Sequence, residues 1–99
     1  MTRGSRGTAE RQVVIVAFDG VQPLDLTGPH EVFAGANEAL VHLAPSAPTY
    51  RLRIVSVGGG SVTAESGLRL GADAFDSVPC GPIDVLLVPG GLGVDAACD

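Results

Sequence analysis

Three apolar segments of the chain have the length and residue types of β-strands. They run from Val13 to Phe18, from Tyr50 to Val57 and from Ile83 to Val88. The first, and the third after Asp84, are apolar at successive positions, which is typical of strands buried on both faces of a parallel sheet. The second alternates apolar residues with Arg and Ser, so it has one more polar face. Together they predict an open α/β sheet.

Between the first two strands the apolar spacing becomes helical. Apolar residues recur between Gln22 and Leu40 at Leu24, Val32, Phe33, Ala36 and Leu40. This spacing predicts a helix. Pro29 must either lie in a first turn or kink that helix, and Thr27 with Gly28 could cap a restart. Two prolines between His42 and Pro48 predict a loop there.

The rest of the chain predicts a hairpin and a domain that continues. Segments 61–65 and 68–70 flank Ser66-Gly67 as paired extended strands would, and 73–82 is a connection. Residues 93–99 resemble the first turns of a helix, and a parallel strand needs a full crossover helix to cover its face. We therefore expect a flexible tail at 1–12 and a partial domain at 13–99, the front half of a larger unit.

Composition limits the function classes. The 99 residues suffice for one domain, and 45% of them are hydrophobic. Six basic residues, all Arg, against eleven acidic ones give a net charge of −5, so no nucleic-acid binding is expected through this chain. No apolar run reaches the ~18 residues of a membrane span, and no secretory signal is visible. Cys80 and Cys98 show no metal or disulfide spacing. We expect a cytoplasmic protein without metal or cofactor.

Candidate chemistry lies in the loops that leave the first and third strands. Ligands of open α/β sheets bind beyond the carboxyl ends of the strands. The N–H groups of Gly90 and Gly91 could point at a developing anion, although a tight strand-to-helix turn would also use two glycines. Asp25 lies in an apolar stretch, where a partly buried acid could share a proton with a neighbour. The alternative for Asp25 is a first-turn acid that interacts with the helix dipole.

Other polar positions favour structural interpretations. Asp19 is expected to be a turn residue, and His30 and His42 to be solvent-facing rather than metal ligands. Cys98 lacks the surroundings of a nucleophile elbow. The glycines 58–60 lack the order of a dinucleotide site and predict a turn.

Four segments in order resemble a known family. They are Phe18–Phe33, which contains Gly-Val-Gln-Pro-Leu-Asp-Leu-Thr-Gly-Pro, then Tyr50–Ser56, Ser66–Leu70 and Asp84–Gly93, which contains Val-Pro-Gly-Gly. From Val13 to its last residue the chain resembles the N-terminal half of the ThiJ/PfpI family. The resemblance implies a flavodoxin-like parallel-sheet sandwich of the class I glutamine-amidotransferase type.

Two branches of that family look most similar. One is the sensor domain of AraC-type transcriptional regulators, which binds a small molecule and carries a separate DNA-binding domain. The other is isonitrile hydratase, which adds water to an isonitrile to give a formamide. The long segment between the predicted helix and the second strand favours the regulator branch.

The resemblance also implies roles for residues. Asp25 corresponds to the family's acid, and the N–H of Gly91 to its oxyanion hole, with Gly90 beside it. The family's cysteine elbow has no counterpart, and neither Cys80 nor Cys98 lies where it would be. We therefore expect ligand binding without turnover by this chain, DNA contact only through another domain, and a possible homodimer.

Overall fold

The computed structural model describes residues 10–78 and 81–91. The elements run in the order β1 (Arg11–Val16), α1 (Pro23–Leu43), β2 (Tyr50–Ser56), β3 (Gly60–Thr63), β4 (Arg69–Ala74), a short 3-10 helix (Phe75–Ser77) and β5 (Val85–Leu87). The predicted α/β class is confirmed. Most of the expected tail at 1–12, the expected helix at 93–99, and both Cys80 and Cys98 lie outside the described residues.

The strands form one five-stranded sheet in the order β3-β4-β2-β1-β5. β1 lies parallel to both β2 and β5. β3 and β4 form the predicted antiparallel hairpin, and the end of β4 then pairs in parallel with the end of β2. β1 and β2 each have parallel neighbours on both sides, so together they form the centre of the sheet.

The core lies between α1 and one face of the sheet. Val13 pairs with Leu52 and Ile15 with Ile54, so these side chains share a face. Val13, Ile15 and Leu26 of α1 are fully buried in one cluster. Burying such an aliphatic side chain contributes about 1.5–3 kcal/mol. The apolar side chains on this face of β1 and on the buried side of α1 therefore hold the helix against the sheet.

An amide side chain joins α1 to β2. Nδ2 of Asn37 donates to the carbonyl of Tyr50 at 2.8 Å, and Oδ1 accepts from the Tyr50 N–H at 2.7 Å. The Tyr50 ring packs edge-on against Phe33, with 4.8 Å between ring centroids. Asn37 thus supplies both hydrogen bonds that a neighbouring strand would otherwise give to Tyr50.

The helix differs from the prediction at both ends and at its proline. It runs without a break past Pro29, so the restart at Thr27 and Gly28 is wrong; the Thr27 hydroxyl instead donates to the Pro23 carbonyl at 3.0 Å. It also extends to Leu43, which places His42 in its last turn rather than in the predicted loop.

The strands are confirmed with shifted bounds. β1 begins at Arg11 and ends at Val16; the Ala17 N–H still donates to the Val55 carbonyl of β2 at 2.7 Å, and the chain turns at Asp19 and Gly20. β4 runs to Ala74, inside the segment predicted as a connection. β5 holds only Val85–Leu87. No helix in 10–78 or 81–91 is long and apolar enough to cross a membrane.

Candidate small-molecule site

Asp25 and Gly90 meet beyond the carboxyl ends of β1 and β5. The N–H of Gly90 donates to Oδ2 of Asp25, with 3.3 Å between nitrogen and oxygen. In the strand order, β1 lies between β2 and β5, so the chain leaves β1 towards one side and returns on the other. Such a switch point is where open α/β sheets form a crevice for ligands. The fold therefore brings two sequence-predicted site residues together at the expected place.

Asp25 lies in the first turn of α1. This position agrees with both interpretations of Asp25, as an acid of a ligand site and as a first-turn acid, since a first-turn carboxylate lies near the positive end of the helix dipole. Asp25 is exposed, so the burial that would let it share a proton with a neighbour is not present. Its carboxylate is held by a backbone N–H and remains accessible to a ligand.

Gly91 occupies a position that only glycine fits. Its φ is +144°, and a Cβ there would overlap the Gly20 carbonyl oxygen and lie 2.8 Å from the Val21 carbonyl carbon. Gly91 forms an isolated antiparallel bridge with Val21. The absence of a side chain thus lets the loop after β5 approach the loop after β1.

The Gly91 N–H is not used by its bridge partner. Val21 donates to the Phe18 carbonyl at 3.1 Å and accepts from the Glu65 N–H at 2.9 Å. The Gln22 N–H donates to the Gly90 carbonyl at 2.8 Å instead, as in a non-hydrogen-bonded antiparallel pair. The Gly91 N–H lies one residue beyond the N–H that binds Asp25.

A cavity of about 320 Å³ adjoins the Asp25–Gly90 hydrogen bond. It is lined by Leu24, Asp25, Pro29, Leu87, Val88, Pro89 and Gly90. One carboxylate and backbone amide groups stand among apolar side chains, which is the usual composition of a small-molecule site. The carboxylate repels anions, and this lining holds no Lys or Arg to offset it. The cavity therefore disfavours anions and offers an apolar wall beside a hydrogen-bond acceptor.

The hairpin holds the loop after β1. The Gly20 N–H donates to the Thr63 carbonyl at 2.8 Å, and the Thr63 N–H donates to Oδ1 of Asp19 at 3.0 Å. Asp19 lies in a turn, as predicted, and its carboxylate accepts a hydrogen bond from the last residue of β3. The position of Asp25 thus depends on residues distant in the sequence.

Gln22 is the site residue that the sequence analysis missed. Its N–H donates to the Gly90 carbonyl at 2.8 Å, and its side-chain Oε1 accepts from the Leu24 N–H at 3.2 Å as the N-cap of α1. Gln is not among the preferred N-cap residues. A polar residue directly before Pro23 was the only available signal, since proline favours the first helical position.

The remaining candidates lie elsewhere. His30 is half-buried, with Nδ1 3.4 Å from Glu31, and it borders a second cavity of about 590 Å³ formed mainly by β2 and β4. His42 lies 3.4 Å from Glu38 in an exposed pair. No group of three metal-ligating side chains occurs among the described residues. Gly59 has a φ of +71° in the connection between β2 and β3, where the turn is predicted, whereas Gly60 already belongs to β3.

Comparison with curated proteins gives two relatives. The chain is 40% identical over 80 residues to a Streptomyces lividans protein described as "Uncharacterized protein in cpoL 5'region". It is 37% identical over 84 residues to isonitrile hydratase of Pseudomonas putida. These matches cover 81% and 84% of the chain but 51% and 31% of the two relatives. The chain thus spans about half, and about a third, of their lengths.

Solved structures show the same fold. Drosophila melanogaster DJ-1beta matches with a TM-score of 0.70 at 16% identity, over 90% of this chain and 42% of that one. An AraC family transcriptional regulator from Pseudomonas putida matches with a TM-score of 0.67 at 22% identity, over 83% and 48%. The flavodoxin-like fold implied by the sequence is confirmed.

Residues 11–97 match the DJ-1/PfpI family. That range includes every strand described above, the whole of α1, and the loops that carry Asp25, Gly90 and Gly91. The resemblance read from the four segments is confirmed, and the chain belongs to the DJ-1/PfpI family.

Proposed function

We propose that this chain supplies the acid and the amide groups of a small-molecule site in the ligand-sensing domain of an AraC-type transcriptional regulator. The observation that carries the proposal is the hydrogen bond from the Gly90 N–H to Asp25 at the edge of the cavity. It holds the carboxylate in place while leaving it open to a ligand.

The ligand class follows from the groups around the cavity. A ligand N–H donates to the Asp25 carboxylate, and a ligand carbonyl accepts from the N–H of Gly91, the residue that follows the lining residue Gly90. An alkyl group packs on the apolar lining formed by Leu24, Pro29 and Leu87. Removing a hydrogen bond to a charged group costs about 1.5–3 kcal/mol, so Asp25 dominates the affinity. We infer a small neutral molecule with an amide-like donor and acceptor.

Two observations agree with the sensor domain of a regulator. The AraC family regulator shares the fold across 83% of the chain. The net charge of −5 is unsuited to binding DNA directly, so a regulator of this kind would contact DNA through another domain.

The site is tested with N-tert-butylformamide as a neutral probe. Amide resonances of Gly90 and Gly91 are followed by NMR during titration of the 99-residue chain. We expect both to shift on binding, and Asp25→Ala to weaken binding by about 10-fold or more. Asp76→Ala is the matched control, because Asp76 is an exposed acid on the short 3-10 helix.

Two further probes sharpen this test. Tert-butyl formate lacks the N–H, and pivalate carries a negative charge, so both should bind more weakly than the formamide. Equal binding of all three probes, or equal loss in the Asp25 and Asp76 variants, would refute the site. Regulation is tested with the protein expressed from its own gene: retention of its upstream DNA should change when the natural ligand is added.

A second candidate function is isonitrile hydration. It is favoured by the 37% identity to isonitrile hydratase over 84 residues. The protein expressed from its own gene would then convert tert-butyl isonitrile and water into N-tert-butylformamide, and Asp25→Ala would abolish the conversion. Formamide accumulation above the uncatalysed rate, measured by proton NMR, would favour the enzyme over the sensor.

A further inference from the structure

Gln22 contacts each of the segments that form the site. Its backbone N–H donates to the Gly90 carbonyl at 2.8 Å, and its carbonyl accepts from the Asp25 N–H at 3.1 Å. Its side-chain Oε1 accepts from the Leu24 N–H at 3.2 Å, and Nε2 lies 3.5 Å from Oε1 of Glu65. One residue therefore joins the loop after β5, the first turn of α1 and the hairpin.

These contacts determine where the Asp25 carboxylate lies. The first N–H groups of a helix have no partner within the helix, and an uncapped first turn frays. Asp25 belongs to that turn, so fraying would move its carboxylate away from the Gly90 N–H. The Gln22 side chain caps the turn, while the Gln22 backbone fixes the turn against the Gly90 carbonyl.

Glu65 orients the Gln22 amide. A glutamine amide can present either its oxygen or its nitrogen to the helix. The Glu65 carboxylate attracts the NH₂ group, which leaves the oxygen to face the Leu24 N–H. Glu65 is itself held at the loop, since its N–H donates to the Val21 carbonyl at 2.9 Å.

We propose that Gln22 is a positioning residue of the site: it acts on ligand affinity through Asp25, and Glu65 sets the orientation of its amide. This inference rests on the proposed function, because it assumes that Asp25 binds the ligand. Gln22 itself does not line the cavity.

The test is a double-mutant cycle with N-tert-butylformamide and the 99-residue chain. Gln22→Met keeps the length of the side chain but removes its two side-chain hydrogen bonds, to Leu24 and to Glu65. We expect it to weaken binding by about 3- to 10-fold, the effect of losing an N-cap. Within the Asp25→Ala variant the same change should have no further effect, since a residue that acts through Asp25 has nothing left to position. A merely structural contribution would instead reduce affinity by the same factor in both backgrounds.

Gln22→Ser provides the rescue. Serine is a good N-cap, so this variant should bind the probe within about two-fold of the unmodified protein. Unchanged affinity in Gln22→Met, or an equal loss in the Asp25→Ala background, would overturn the inference. If Gln22→Met lost binding and Asp25→Ala did not, the proposed function would be refuted as well. If Asp25→Ala lost binding and Gln22→Met did not, only this inference would be refuted.

Discussion

At the scale of single residues, Gly91 is the glycine of the described residues at which an added Cβ would meet the shortest contacts. A substitution to alanine places a Cβ against the Gly20 carbonyl oxygen and forces a φ of +144° on a residue with a side chain. We expect Gly91→Ala to lower the free energy of unfolding by about 2–4 kcal/mol. Urea denaturation followed by circular dichroism measures this change.

Gly35 is the matched control for that experiment. It lies inside α1, and a Cβ there would meet no atom within 4 Å. Gly35→Ala should therefore raise stability by about 0.5–1 kcal/mol, as in other helix interiors. Similar effects of the two substitutions would contradict the packing described for Gly91.

The residues of the site could be predicted only in part. Asp25, Gly90 and Gly91 follow strands, and the carboxyl ends of strands are known positions for ligands. Gln22 was not predicted, because its role depends on contacts with Gly90 and Glu65, which only the tertiary structure brings together. A pattern of residue types carries no information about such contacts.

At the scale of elements, α1 contains a proline that costs stability. Pro29 has no N–H to donate to the Asp25 carbonyl, and its ring crowds that oxygen. We expect Pro29→Ala to restore this bond and to raise the free energy of unfolding by about 1–2 kcal/mol. Thermal unfolding followed by the helical signal in circular dichroism measures this increase in the free energy of unfolding.

The same substitution should weaken the site. Pro29 contributes to the apolar lining of the cavity, so the alanine variant should bind N-tert-butylformamide less tightly although it is more stable. Pro45→Ala is the control. Pro45 lies in the turn after α1, so we expect its substitution neither to stabilise the protein nor to weaken binding. A Pro29 variant that lost stability would show that packing of the ring outweighs the missing hydrogen bond.

Elements were predicted better than their ends. Apolar periodicity identified the strands and α1, because burial on one face or both dictates it. It did not predict that α1 continues through Pro29 to Leu43, because packing of the helix on the sheet overrides the local cost of a proline. The shift of β1 to Arg11 has a similar origin, since Arg11 donates its N–H to the Thr49 carbonyl at 2.9 Å.

At the scale of the whole molecule, the order of the strands could not be read from apolar pattern alone. The pattern indicated a parallel sheet and a hairpin, but β4 also joins the sheet through β2. That pairing places the hairpin beside the loop after β1, where Glu65 and Thr63 hold Val21 and Gly20. The hairpin is therefore part of the support for the site, although no residue of it lines the cavity.

This arrangement predicts a gradient of local stability across the sheet. β1 pairs on both sides, and Val13, Val14 and Ile15 are fully buried. β3 lies at an edge and is hydrogen-bonded to one strand, β4. Amides of a strand that is hydrogen-bonded on both sides exchange mainly through global unfolding, whereas amides of an edge strand exchange through local opening. We expect the slowest β1 amides to exchange on the order of 100-fold more slowly than those of β3.

Hydrogen–deuterium exchange followed by NMR measures this gradient residue by residue. Binding of N-tert-butylformamide should add protection at Gly90 and Gly91 and extend it to the Val21 and Glu65 amides, because those residues are hydrogen-bonded to the same loop. The slowest β1 amides should respond only through the gain in global stability. Equal protection of β1 and β3 would contradict the strand order, whereas added protection limited to Gly90 would show that the hairpin does not support the site.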